Sequence, residues 1–84
     1  MSKKINVVVE YVGQNNFSEE IPPETSIQAV KVRAMHFFQL DPGSAGKYVL
    51  QYNGSDIEES RHVGDFGTST VVLTLTLKNE VNKG

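Results

Sequence analysis

Few side chains in this sequence could carry chemistry, and they are scattered. Neither histidine, His36 or His62, has a nucleophile and an orienting acid at a spacing that would build a catalytic constellation. The adjacent carboxylates Glu19-Glu20 and Glu58-Glu59 read as solvated charge rather than as a general acid–base pair or a metal site. There is no cysteine, which removes a thiolate nucleophile, a Cys-based zinc site and a disulfide framework together. The last residue is Gly84. Taken alone, glycine is an ordinary terminus.

The elements that would position these residues are legible from periodicity. Eighty-four residues make one domain, a size that buries roughly 60–65% of the extended-chain surface and leaves little room to enclose a substrate. Residues 5–11 alternate, with Ile5, Val7, Val9 and Tyr11 on one face, as a half-buried strand requires. Gly13-Gln14-Asn15-Asn16 supplies a hairpin loop and residues 17–21 the returning strand. Alternation from Phe17 to Ile21 turns Glu19 inward, so this strand either bulges or lies at an edge. Pro22-Pro23 ends it. Thr25-x-x-Gln28 fits a capping box, with Ser26 as the competing N-cap. Ile27, Val30, Ala34 and Phe37, with Phe38 alongside, form one helical stripe, and Gln28, Lys31 and Arg33 fall on the wet side. Asp41-Pro42-Gly43 stops the helix, and Ser44-Ala45-Gly46 makes a small loop. Tyr48, Leu50 and Tyr52 alternate in a further strand, Asn53-Gly54 marks a hairpin, and a short piece follows around Ile57. Residues 59–70 form a compact turn region. Within it, Gly64-Asp65-Phe66-Gly67 is a turn with a buried aromatic, since nothing else of a kinase's magnesium site accompanies it. Residues 71–78 are the last strand, with Leu73, Leu75 and Leu77 inward and Thr74 and Thr76 outward, and residues 79–84 are a mobile tail. The order predicts an α+β roll: a mixed sheet with one helix packed across one face, and the first and last strands in its middle.

The formal charge of −2, with eight scattered basic residues, argues against nonspecific nucleic-acid binding. The short apolar run at Ile5, broken by Asn6, is neither a secretory h-region nor a membrane span. A soluble, monomeric, cytoplasmic protein is expected.

The stretch IPPETSIQAVKVRAM, Ile21 to Met35, resembles the strand-to-helix passage of ubiquitin. The likeness extends back to Ile5, needs a short insertion near Ser44-Ala45-Gly46, and resumes at Leu50 to Gly54. It continues through RHVGDFG and ends in LTLTLK, covering most of the chain. The turn VGDFG and the terminal glycine look like the ubiquitin-like proteins of bacterial operons, where such a protein is encoded beside activating, conjugating and deconjugating enzymes. The resemblance implies a ubiquitin-like β-grasp domain over residues 1–78 and a flexible tail over 79–84. It implies a protein modifier rather than an enzyme. Gly84 would be activated at its carboxylate by an enzyme that uses ATP, and would then be joined to a target lysine; the chain itself would hold no cofactor or metal. Asn82 and Lys83 would contact the activating enzyme. Ubiquitin's aliphatic recognition patch falls here on Val12, Gln51 and Thr76, of which one is aliphatic. Dedicated partners are therefore expected on a surface built from Val8, Val12, Val49, Gln51 and Thr76. Ubiquitin ends in a glycine pair after arginine, whereas this chain ends in Asn82-Lys83-Gly84. Two alternatives stand beside the modifier: a noncovalent interaction module, like those accompanying some bacterial secretion systems, and a sulfur carrier, whose usual glycine pair Lys83 interrupts.

Overall fold

A computed structural model describes residues 3–67 and 72–79. β1 (Ile5–Glu10) and β2 (Phe17–Ile21) pair antiparallel in unbroken register, from Ile5 opposite Ile21 to Val9 opposite Phe17. No bulge interrupts β2. Glu19 is accommodated because β2 is an edge strand, and its carboxylate reaches the Arg33 guanidinium at 3.1 Å.

Helix α1 spans Ile27–Phe37. Its N-cap is Ser26, whose Oγ accepts from the Ala29 N–H at 3.2 Å, so the Thr25 capping box expected from sequence gives way to its competitor. Two further orphan donors of the first turn, the N–H groups of Ile27 and Gln28, are taken by the carbonyls of Arg61 and Glu59. The turn region after β4 is thereby pinned to the start of the helix.

Three expectations for α1 need correction. Phe37 is not part of the buried stripe: it is 49% exposed, and Phe38 takes its place at 5%. Phe38 lies four residues beyond Ala34 and so falls on the axis of the stripe, whereas Phe37 sits at its margin. Lys31 is not on the wet side; it is 2% exposed, because it too lies four residues beyond Ile27 and faces the core. Its Nζ donates to the carbonyls of Ala45 (2.7 Å) and Tyr48 (3.1 Å) and pairs with the Glu59 carboxylate. The helix also stops before Asp41. Gln39 adopts φ 60°, its N–H bonds to the His36 carbonyl and the Leu40 N–H to that of Met35, which is the bonding pattern of a Schellman cap. Asp41 instead caps a 3-10 helix over Pro42–Lys47, its Oδ1 accepting from Gly43 at 3.0 Å, where a small loop was expected.

β3 (Tyr48–Tyr52) turns into β4 (Ser55–Asp56) through Asn53-Gly54, both at positive φ, as a tight hairpin demands. β5 is Leu73–Asn79 and extends one residue past the point where the sequence placed the tail. The sheet order is β2-β1-β5-β3-β4, with β1 and β5 parallel in the middle and the other pairs antiparallel. This is a mixed five-stranded sheet with one helix across one face, the ubiquitin-like β-grasp roll. The core lies between them, from Ile5, Val7, Val9, Leu73, Leu75 and Leu77 on the central strands to Ile27, Val30 and Met35 on α1. A short 3-10 turn, Val63–Asp65, closes one side. Gly64 approaches so near that a Cβ there would lie 3.0 Å from the Pro23 Cβ, and its N–H bonds to the Pro23 carbonyl. No helix among the described residues is long and apolar enough to cross a membrane.

Candidate functional site

The face of the sheet away from α1 is assembled by register. Val8 stands between Ser18 of β2 and Thr74 of β5. Thr76 stands between Glu10 of β1 and Gln51 of β3, and Gln51 in turn faces Asp56 of β4. Val49 lies beside Lys78. The structure therefore brings Gln51 and Thr76 together, but it sets Val8 and Val49 on either side of the polar row Glu10–Thr76–Gln51–Asp56. Gln51 Nε2 donates to Asp56 Oδ1 at 2.6 Å, which holds the centre of this face polar. Val12 follows β1 in the loop to β2 and is 89% exposed. The remaining members of the sequence-predicted site, Asn82, Lys83 and Gly84, lie outside the described residues.

The root of the segment carrying them is described. β5 lies between β1 and β3 and pairs its last residue, Asn79, with Tyr48. At this end of the roll the aromatic rings form a continuous row. Phe17 touches Phe37 (centroids 5.4 Å), Phe37 touches Phe38 (5.2 Å), Phe38 touches Tyr11 (5.3 Å) and Tyr11 touches Tyr48 (6.1 Å). A hydrogen bond with Tyr48, and secondarily burial, raises the Tyr11 phenol above its ordinary value. Sequence reading placed Tyr11 on the core face and counted Phe37 in the core stripe. It missed the row, because ring contacts between β1, α1 and β3 are set by tertiary packing.

The second feature missed from sequence is a shallow groove of about 590 Å³ between β2 and α1, lined by Phe17, Glu19, Val32, Arg33, His36 and Phe37. Its one local signal was Val32, an apolar residue off the helical stripe, since Phe37 was counted in the stripe. Of the histidines, His36 is exposed beside this groove and His62 is exposed before the Val63–Asp65 turn. Asp65 accepts from the His62 backbone N–H (3.0 Å) and from Arg61 (3.2 Å), which in that order hold its carboxyl below the usual carboxylate range. The Arg61 guanidinium also lies 5.1 Å over the Phe66 ring, and that ring packs on Tyr52 and is only partly buried. Asp65 and Phe66 thus stabilise a turn. Among the described residues no group of three or more His, Asp or Glu side chains gathers where it could hold a metal.

Known structures share this architecture. A ubiquitin of Caldiarchaeum subterraneum superposes with a TM-score of 0.76 at 16% identity, over 96% of this chain and 99% of that one. A structure described as molecular mimicry of SUMO that promotes DNA repair superposes with a TM-score of 0.75 at 10% identity, over 93% and 94%. At such identities the likeness establishes the fold. No curated protein matches the chain in sequence. The model of the BilA ubiquitin-like domain 2 family matches residues 6–78, from β1 to the penultimate residue of β5. The chain is a ubiquitin-like protein and belongs to the BilA ubiquitin-like domain 2 family.

Proposed function

We propose that this protein is a modifier, activated at the carboxylate of Gly84 and joined to lysines of target proteins in a bacterial, cytoplasmic conjugation pathway. The observation that carries the reading is membership of a ubiquitin-like family whose match runs through the strand leading to the C-terminal segment. An activating enzyme would join the Gly84 carboxylate to the α-phosphorus of ATP and release pyrophosphate. A cysteine thiolate of that enzyme would then displace AMP. The amine of a target lysine, reached directly or through a conjugating enzyme, would displace the thiol and lose a proton to form an isopeptide bond. A deconjugating enzyme would hydrolyse that bond. Every reactive side chain in this sequence belongs to a partner; the chain contributes the acyl carbon and holds no cofactor. Asn82 and Lys83 would contact the activating enzyme. Incubation of the monomeric protein with ATP and the enzymes encoded beside it tests the reading. A mass increase on an enzyme cysteine or target lysine is expected, and deletion of Gly84 should abolish it. Absence of any adduct with demonstrably active enzymes would refute it.

One observation favours a noncovalent interaction module as the second reading. β2 is an edge strand whose outer backbone has no strand partner among the described residues, and it borders the groove of Phe17, Val32 and Phe37. An extended peptide could add there as a further strand, with apolar side chains in the groove. If deletion of Gly84 left cellular function intact while Val32→Asp removed it, this reading would replace the first.

A further inference from the structure

We propose that the aromatic row at the end of the sheet from which β5 leads, with Phe37 and Val12 as its exposed contacts, is the docking surface for the enzyme that adenylates Gly84. The inference rests on the modifier reading and adds the surface by which the first partner recognises the folded domain.

Reach comes first. The five residues from Glu80 to Gly84 follow Asn79 directly. Fully extended, they span at most about 18 Å. An active site that holds the Gly84 carboxylate therefore lies within that distance of Asn79, and the protein around it must cover the same end of the roll. The opposite end, where Val72 precedes β5, and the β4 edge are poorly placed to meet it.

What that end presents is unusual for a solvated surface. Asn79 pairs with Tyr48 on one side, and Tyr11 extends β1 on the other. Both tyrosines lie on the core-facing side of their strands, and their rings meet 6.1 Å apart across β5. β5 thus ends between two tyrosines. Phe38 is buried behind Tyr11 and fixes the row from below. Phe37 is packed against Phe17 and Phe38, yet remains 49% exposed, and Val12, the residue after Tyr11, is 89% exposed. Two of the four large apolar side chains exposed among the described residues therefore stand at this one end. A rigid aromatic row loses little conformational freedom on binding and supplies large contact area, the properties of interface hot spots. Lys47, which precedes Tyr48, and Lys78, on the outer face of the same end of β5, are exposed and in no ion pair among the described residues. The matching partner surface is an apolar lip at the mouth of the enzyme's tail channel, with carboxylates at its rim.

The test measures ATP–pyrophosphate exchange by the adenylating enzyme encoded beside this chain, as a function of the concentration of the full-length protein. Val12→Asp alters a side chain that is 89% exposed and should leave the melting transition in place, whereas Phe37→Ser should lower it by about 4–8 °C and leave the protein folded. Each is expected to raise the half-saturating concentration about tenfold, as loss of an interface anchor does, with the maximal rate little changed. Val72→Ser, equally exposed at the opposite end, should leave both parameters at their wild-type values. Unchanged half-saturation for both Val12→Asp and Phe37→Ser, with exchange still abolished by deletion of Gly84, would overturn the docking surface and leave the modifier reading standing. No exchange with the wild-type protein would overturn both.

Discussion

Replacing Lys31 by methionine keeps the length and apolar stem of the side chain and removes only its ammonium. In the wild-type protein that ammonium sits at the junction of α1, the 3-10 helix and β3, donating to the carbonyls of Ala45 and Tyr48 and pairing with Glu59. Lys31→Met removes two hydrogen bonds to part-buried carbonyls, at about 1 kcal/mol each, the typical net value of a hydrogen bond, since the Ala45 carbonyl keeps the Tyr48 N–H as a donor. The Glu59 side chain is 43% exposed, so its carboxylate returns to water at little cost. Relief from desolvating the ammonium works in the opposite direction and can make apolar replacements of buried ion pairs neutral. Here the carbonyls cannot turn to water without disrupting the 3-10 helix and β3, so the net loss should be about 2 kcal/mol. Glu59→Gln keeps a hydrogen-bond acceptor and should cost about 1 kcal/mol or less, because its partner retains both carbonyls. Urea unfolding followed by far-ultraviolet circular dichroism measures both, with the slope unchanged if the unfolded states are alike. The melting temperature of Lys31→Met should fall by about 8–16 °C for a domain of this size. A Lys31→Met variant as stable as wild type, or a Glu59→Gln variant the more damaged of the two, would show that the carbonyl bonds are not what makes Lys31 necessary.

Phe38→Ala should cost about 3–4 kcal/mol as a buried aromatic truncation, and Phe37→Ala about 1 kcal/mol or less; equal losses in thermal melts would contradict the assignment of the stripe to Phe38. Gln39→Gly should stabilise the domain by about 0.5–1 kcal/mol, since glycine accepts φ 60° without the Cβ penalty; a loss of stability would mean the Gln39 side chain holds the cap. Asp65 is a depressed carboxylate, so its contribution to stability is present above its unfolded value near 3.8 and disappears as pH falls through the lower folded one. Asp65→Asn should therefore melt below wild type at neutral pH, with the gap closing under acid; a gap constant down to the acid limit would exclude the charge as its cause.

Much of the fold was legible because its signals are local and periodic. Alternation located β1, β3 and β5, the Asn53-Gly54 pair located the hairpin, and the need to bury every apolar face put β1 and β5 in the middle of the sheet. Glu19 broke the alternation of β2, and the edge position is one of the two resolutions that break allowed. The errors in α1 have one physical origin. Helical spacing assigns positions to faces, but hydropathy then decides which positions count as core, and Lys31 was excluded on its charge despite its place between Ile27 and Ala34. The carbonyls that make its burial tolerable come from Ala45 and Tyr48, far along the chain, and nothing near Lys31 announces them. Phe37 and Phe38 posed the reverse difficulty. Both are apolar, so composition could not choose between them, and only the stricter i+4 step from Ala34 does.

The site divides along the same line. Register alone predicts that Gln51 and Thr76 share a face, and the structure pairs them. Register also limits what that face can do. With Val8 two residues before Glu10 and Val49 two before Gln51, a polar row must separate the two valines whatever the side-chain rotamers, because both strands align to Thr76. A partner that needs one desolvated aliphatic centre finds none there. The apolar surface withheld from the sheet face appears instead on residues from different elements, Val12 after β1 and Phe37 at the end of α1, with Val32 one groove away. Val12 reads in sequence as an isolated apolar residue and Phe37 as part of the core stripe, so neither announces an exposed surface. Their meaning comes from convergence, and convergence at the end where β5 leaves the sheet is a property of the sheet order. The parallel β1–β5 pair sends the C-terminal end of β5 to the same side as the loop after β1, and the antiparallel β3–β5 pair brings the start of β3 beside it. In this topology the end of β5 lies between Tyr48 of β3 and the Tyr11-Val12 end of β1.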